Sequence, residues 1–225
     1  MQRDSIFRQI RLDWRACFER DPAARNGLEV LLAYPGFHAI VWHRVIVHPL
    51  HRLGLPVIPR VLSNWSRFLT GIEIHPGAEI GSGLFIDHGT GVVLGETSEI
   101  GRNCTLYQGV TLGGTTLQRG KRHPTLEDNV VVGAGAAVLG AITVGAGSKI
   151  AAGAVVVKSV PPNSTVVGVP GRVIYQDGKQ VEPVIPRVDM PDPQADAIAA
   201  LQQRIEALEA QIRKLEEPDG SPTLQ

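Results

Sequence analysis

The sequence predicts an α+β chain: an N-terminal helical bundle, a parallel β-helix and a C-terminal helix. Three observations predict it. Helix-period apolar stripes fill residues 1–70, a six-residue aliphatic repeat fills 71–175, and a heptad seam occupies 197–217 after a linker at 176–196.

In the first part Ile6, Phe7, Ile10, Trp14, Cys17 and Phe18 share one helical stripe, and Ile58, Val61, Leu62, Trp65, Phe68 and Leu69 share another. Between them Asp21-Pro22 reads as an N-cap with proline at the first helical position, and Tyr34-Pro35-Gly36 as a break.

The period then changes. Ile74, Ile80 and Ile86 follow at steps of six, as do Leu94, Ile100, Leu106 and Leu112, and then Leu126, Val132, Val138, Val144, Ile150 and Val156. Four places after these stand small or branched residues, as in Ala78, Thr90, Ser98, Cys104, Val110, Ala136, Ser148 and Ala154. A six-residue period belongs to β-helices: each unit is a short strand and a turn, three units close a triangular coil, and coils stack at about 4.7–4.9 Å. The first and fifth positions of each unit then face inward. The register breaks twice, with two extra residues between Ile86 and Leu94 and eight between Leu112 and Leu126. The second break makes 113–125, with its TTLQRGKRHP run, a loop that leaves the prism, and solenoid insertions are where function tends to sit.

The third part begins near Pro161-Pro162, and Pro183, Pro186, Pro191 and Pro193 predict an extended linker. Ile198, Leu201, Ile205, Leu208, Ile212 and Leu215 then alternate steps of three and four. Ile at a and Leu at d favour two strands in a parallel coiled coil, whereas a β-helix trimer would present three tails together. The tail is expected to serve oligomerisation and not catalysis, the alternative being a lone helix packed on its own domain.

Composition excludes several classes of function. With 225 residues, 22 Lys+Arg and 22 Asp+Glu, the chain has no net charge to draw it to nucleic acid or an anionic membrane. Apolar residues make 43% but aromatics only 5%, beside 25 Gly and 16 Pro, so the core is built from small and branched side chains. Cys17 and Cys104 cannot make a disulfide framework, the start MQRDSIFRQIRLDW has no signal-peptide apolar region, and no apolar run reaches the ~18 residues of a membrane span. A cytoplasmic location is expected.

Cys104 holds a fifth position and is expected in the core, where apolar surroundings raise a thiol's pKa and make it a poor nucleophile. His88 stands third in its unit, at a corner, where it cannot be a core histidine. Whole coils onward the same edge carries Gln108, Ala134 and Ala152, a candidate groove, although β-helix corners favour small residues in any case. Glu73, fifteen residues before His88, should lie one layer below near that corner, where its carboxylate would orient the imidazole and stabilise its cation. Asp87 points the other way along the strand and could face a ligand. Lys121, Arg122 and His123 form either a solvated basic loop or a site, and arginine suits a bidentate carboxylate contact.

The segments IEIHPGAEIGSGLFIDHGTGVVLGETSEIG, QGVTLGG, KRHPTLEDNVVVGAGAAVLG and GVPGRV, with ERDPAA and PGFHA upstream, resemble those of the serine acetyltransferases, left-handed β-helix enzymes of the hexapeptide acyltransferase superfamily. The resemblance runs from about Arg20 to Arg172, and the DHGTGVVLGET and KRHP segments are its specific part. It implies acetyl transfer from acetyl-CoA to the hydroxyl of L-serine, giving O-acetylserine and CoA, with no metal. It implies His88 as general base with Glu73 completing the catalytic pair, Asp21 and Asp87 holding the serine ammonium, and Arg122 with His123 near the serine carboxylate. Gly114, Ala134, Lys149 and Ala152 match positions lining the acetyl-CoA site. It also implies a homo-oligomer, trimer or dimer of trimers, with L-cysteine as feedback inhibitor.

Three departures stand out. Glu73 replaces an Asp, one methylene shorter, in well-known members. The N-terminal helical region is short beside that of the enterobacterial hexamers. The last residues, Ser-Pro-Thr-Leu-Gln, lack the terminal isoleucine that members use to dock into O-acetylserine sulfhydrylase, so tail-mediated binding to that enzyme is not expected.

Other readings fit the same prism. A sugar or xenobiotic hydroxyl as acceptor is opposed by Asp21, Asp87 and Arg122, an amino-acid-shaped set of charges. A γ-class carbonic anhydrase-like zinc enzyme needs three histidines from neighbouring coils, whereas His75, His88 and His123 include no close pair. An inactive scaffold is opposed by the intact Glu73 and His88.

Overall fold

The computed structural model describes residues 4–181 and 193–216. The chain divides into a unit spanning Met1–Pro183 and a unit spanning Val184–Gln225.

In the first unit helices come first: α1 (Ile6–Arg20), α2 (Gly27–Ala33), α3 (Pro35–Trp42), a π-helical turn at His43–Val47, α4 (His48–Arg52) and α5 (Ile58–Thr70). Ser5 caps α1, its hydroxyl accepting from Arg8 N–H. Asp21 departs from the sequence reading. It closes α1 as a C-cap. Its carboxylate accepts from the Ala23 N–H at 2.7 Å, as an N-cap would, and from the Tyr34 hydroxyl at 2.6 Å, but the chain makes only a turn there and no helix follows until Gly27. Asn26 caps α2 instead. The break at Tyr34 is present, with Pro35 at the first position of α3.

What pins these helices down is a buried ion pair. Asp13 and Arg44 meet at 2.8 and 3.1 Å, Asp13 also accepts from Gly83 and Leu84 N–H, and Arg44 also donates to the Ile80 carbonyl. Each buried charge thus has its partners, the condition under which such a pair is tolerated. Helix α5 buries the face opposite its apolar stripe. Ser63 and Ser66 face inward, with Ser63 Oγ donating to the Ile74 carbonyl at 2.6 Å, while Ile58, Val61, Trp65, Phe68 and Leu69 are exposed. Small polar residues let the helix lie close against the first strand, which leaves its apolar stripe outside.

The repeat folds as the left-handed parallel β-helix. One sheet contains β1 (Glu73–Ile74), β4 (Val93–Leu94), β7 (Thr111–Gly113), β10 (Ala137–Leu139) and β13 (Val155–Val156). A second contains β2 (Glu79–Ile80), β5 (Glu99–Ile100), β8 (Thr125–Leu126) and β11 (Thr143–Val144). The third contains β3 (Phe85–Ile86), β6 (Thr105–Leu106), β9 (Val131–Val132), β12 (Lys149–Ile150) and β14 (Ser164–Val167), and it continues into antiparallel β15 (Arg172–Gln176) and β16 (Lys179–Gln180). The two inward columns form the core, Cys104 among them, its thiol pushed up to about 11 by burial. Thr90 is an exception. It is exposed, and Val92 takes the inward place, because the two extra residues precede it and shift the column.

The linker read at 176–196 overlaps β15 and β16 at its start and the first turn of α6 at its end, because residues 193–196 are already helical; 182–192 lies outside the described residues, as does 217–225. In the second unit α6 (Pro193–Glu216) forms, with Ile198, Leu201, Ile205, Leu208 and Ile212 exposed along it. No single described helix is long and apolar enough to cross a membrane.

Candidate active site

The corner joining the third sheet to the first is a backbone ladder. Gly91 N–H donates to the Gly71 carbonyl, Gly109 to Thr90, Gly135 to Gln108 and Gly153 to Ala134, at 2.8–2.9 Å. His88 is therefore not a rung of this edge; Thr90 is. His88 and Gly89 are the two extra residues, extruded from the coil: Glu73 pairs with Val93 across the insertion, whereas Val93 pairs with Thr111 in plain eighteen-residue register. Their turn is tight. Gly89 N–H donates to the Asp87 carbonyl at 2.6 Å, and His88 adopts φ 57°, a left-handed conformation that otherwise occurs, among the described non-glycine residues, only at Asn and Asp. A side chain at Gly89 would strike Ile72 Cδ1 at 2.5 Å, so the turn sits directly over the entrance to β1. The result is an imidazole that is 76% exposed, with Nε2 4.0 Å from Asp87 Oδ1.

Glu73 opens β1, one coil below Val93. The carboxylate within 4.0 Å of the His88 imidazole is that of Asp87, the neighbour that strand alternation sets aside as partner. The Glu73 carboxylate is held by Arg67 of α5, Nη1 to Oε2 at 2.9 Å. Asp21 is carried toward this end through Tyr34: α3 starts there, and Gly36 lies so close to β3 that a Cβ would stand 2.1 Å from the Ile86 carbonyl oxygen, next to Asp87.

Arg122 and His123 belong to a different corner, where the first sheet passes to the second. Their loop is a built structure. Thr97 Oγ1 accepts from the Arg122 and His123 N–H groups at 3.0 and 3.1 Å, and Lys121 Nζ donates to the Thr97 carbonyl and to Glu99. Thr97 N–H donates to His123 Nδ1 at 3.2 Å, which places the ring proton on Nε2. Burial, then the Arg122 charge, pushes His123 below the usual histidine range, so the ring is a neutral N–H donor. Arg122 is paired with Glu96, and that hydrogen bond holds the Glu96 carboxyl below the ordinary carboxylate value. Gly95 is required, because a Cβ would stand 2.0 Å from the His123 ring. His75 borders the same cluster, lowered to about 4 by burial, then Arg60.

The residues matched to acetyl-CoA are also divided. Gly114 packs on Arg122 and His123, Ala134 and Ala152 lie on the His88 corner, and Lys149 stands exposed on β12 of the third sheet. Within one chain His88 and the basic loop are thus a prism face apart. His75 and His123 share a corner that His88 does not, and among the described residues no three His, Cys, Asp or Glu side chains form a metal-binding group. A cleft of about 960 Å³ between the helices and the second sheet takes in Glu99, the partner of Lys121, but none of the residues matched to serine or acetyl-CoA. Glu96, Thr97 and Arg67 were not singled out on the sequence; the Gly-Glu-Thr of DHGTGVVLGET carried the signal for the first two.

Chemically the parts are an exposed imidazole beside the Asp87 carboxylate and, at the other corner, an arginine paired with Glu96 beside a neutral N–H donor. They suit a small zwitterion whose hydroxyl loses a proton.

Comparison with known proteins gives the same direction. Residues 1–41 match the family model "Serine acetyltransferase, N-terminal", and 123–158 match "Bacterial transferase hexapeptide (six repeats)". A serine acetyltransferase of Synechococcus elongatus is 60% identical over 97% of this chain and 89% of its own, and that of Bacillus subtilis 54% identical over 94% and 97%. Among solved structures, Neisseria gonorrhoeae serine acetyltransferase in complex with serine superposes with TM-score 0.71, at 46% identity over 74% of this chain and 68% of that one. The Brucella abortus enzyme in complex with coenzyme A gives 0.72, at 47% identity over 75% and 67%. A serine acetyltransferase complex with cysteine gives 0.74, at 42% over 76% and 70%.

Proposed function

This chain belongs to the serine acetyltransferase family, and from that premise we propose that His88 is the base with which it acetylates L-serine. The enzyme transfers the acetyl group of acetyl-CoA to the serine hydroxyl, giving O-acetyl-L-serine and CoA. His88 removes the hydroxyl proton as the oxygen attacks the thioester carbonyl; the tetrahedral adduct expels the CoA thiolate, which recovers the proton from the imidazolium. Glu73 orients the imidazole, Asp21 and Asp87 hold the ammonium, and Arg122 with the His123 Nε2–H holds the carboxylate. Gly114, Ala134, Lys149 and Ala152 line the acetyl-CoA groove. L-cysteine, a serine with sulfur in place of oxygen, fits the same charges and is the inhibitor.

The observation that carries this reading is the extruded turn, which spends backbone strain to expose one imidazole. The test is thiol release from acetyl-CoA with a panel of hydroxyl acceptors. Release with L-serine and little with sugars or chloramphenicol is expected; a preference for a sugar would overturn the acceptor.

Arg122→Ala is expected to raise the serine KM about 10- to 100-fold, the scale of a charge-assisted hydrogen bond made in ground and transition states alike. An unchanged serine KM would return the KRHP loop to a structural role.

Because the two halves of the site occupy different corners, the working enzyme is a homo-oligomer of at least three chains, each site formed between neighbouring prisms. The uncovered apolar stripe of α5 supports association as well.

A further inference from the structure

The ion pair of Arg67 with Glu73 has no part in the mechanism above. Arg67 stands in the last turn of α5, where its carbonyl accepts the Gly71 N–H at 2.7 Å and Gly71, at φ 73°, ends the helix. Two residues later β1 begins with Glu73, so the C-cap fixes both ends of the short span that the pair bridges. The side chains are 58% and 24% exposed, and ion pairs this open to water contribute little to stability. A role other than stability needs the carboxylate itself.

Glutamate has one more side-chain torsion than the aspartate expected here, and a carboxylate free to rotate presents its oxygens in several rotamers. An arginine on one oxygen removes that freedom. We propose that Arg67 is a positioning residue: it holds Glu73 Oε2 so that Oε1 is presented to the His88 imidazole, which makes the longer glutamate serviceable at this corner. The proposal rests on the reading of His88 and Glu73 as the working pair. It requires no contact between Arg67 and either substrate.

The test is steady-state thiol release by the full-length enzyme and its Arg67→Ala, Arg67→Lys, Glu73→Gln and Arg67→Ala/Glu73→Gln variants, with thermal midpoints recorded for each. Arg67→Ala is expected to lower kcat about tenfold, within the range of coupling between contacting residues. Both KM values and the thermal midpoint should stay close to those of the parent, and Arg67→Lys should recover most of the loss. In the Glu73→Gln background the same substitution should cost nothing further. Equal losses in both backgrounds, or a loss that follows the thermal midpoint, would overturn the proposal, as would a fully active Arg67→Ala beside an impaired Glu73→Gln. Full activity of Glu73→Gln itself is a different result: it removes Glu73 from the mechanism, and Arg67 with it.

Discussion

Replacing His88 with alanine is expected to lower turnover by about two to four orders of magnitude, the contribution of a general base, with acetyl-CoA affinity largely kept. The side chain is mostly exposed, so truncation opens no cavity and leaves no buried polar group unpaired. The backbone must be controlled for, because a left-handed φ of 57° is strained for alanine as well. His88→Asn supplies the control, since asparagine tolerates that region and cannot act as a base at neutral pH. Both variants should fold, by circular dichroism and thermal midpoint, and both should lose turnover alike. Recovery in His88→Asn would assign the loss to the turn; near-normal turnover in both would remove His88 from the mechanism.

The prism was legible in the sequence because its signal is periodic: each aliphatic step reports a residue that must be buried, and an insertion shows as a missed step. The two extra residues after Ile86 were countable on that ground. Which two they were was not, because counting cannot tell His88-Gly89 from Thr90-Gly91; only the backbone ladder from Gly71 through Thr90 to Gln108 does. The helices were less legible. Periodicity located the apolar face of α5, but the buried face is the one with Ser63 and Ser66, chosen by close approach and not by hydropathy. Asp21-Pro22 fits the local rule for an N-cap and makes the local bond to Ala23 N–H, but its second oxygen is tied to the Tyr34 hydroxyl and the chain turns there without continuing as a helix. Thr97 and Glu96 escaped notice for a related reason. Their partners, Arg122 and His123, lie across the whole excursion, and no local pattern links a threonine to a loop that returns to it from so far along the chain.

The division of the site between corners gives the other large effect, a rescue. Suppose chains carrying His88→Ala are co-expressed with chains carrying Arg122→Ala under two affinity tags, and particles are purified through both. The first chain keeps an intact Arg122, the second an intact His88. In a cyclic trimer each site joins the His88 corner of one chain to the basic loop of the next, a head-to-tail relation. Every mixed trimer, of either composition, then contains one complete site and two damaged ones, so at serine concentrations below the KM it should show about one-third of the parent kcat/KM. Each parent variant alone should show far less, the first for want of a base and the second for want of its serine carboxylate anchor. If both halves worked within one chain, no mixed particle would hold a complete site, and its activity would stay at the average of the two variants. The same preparation answers the question of assembly, because light scattering that found only monomers, fully active in the parent, would refute the shared site by itself.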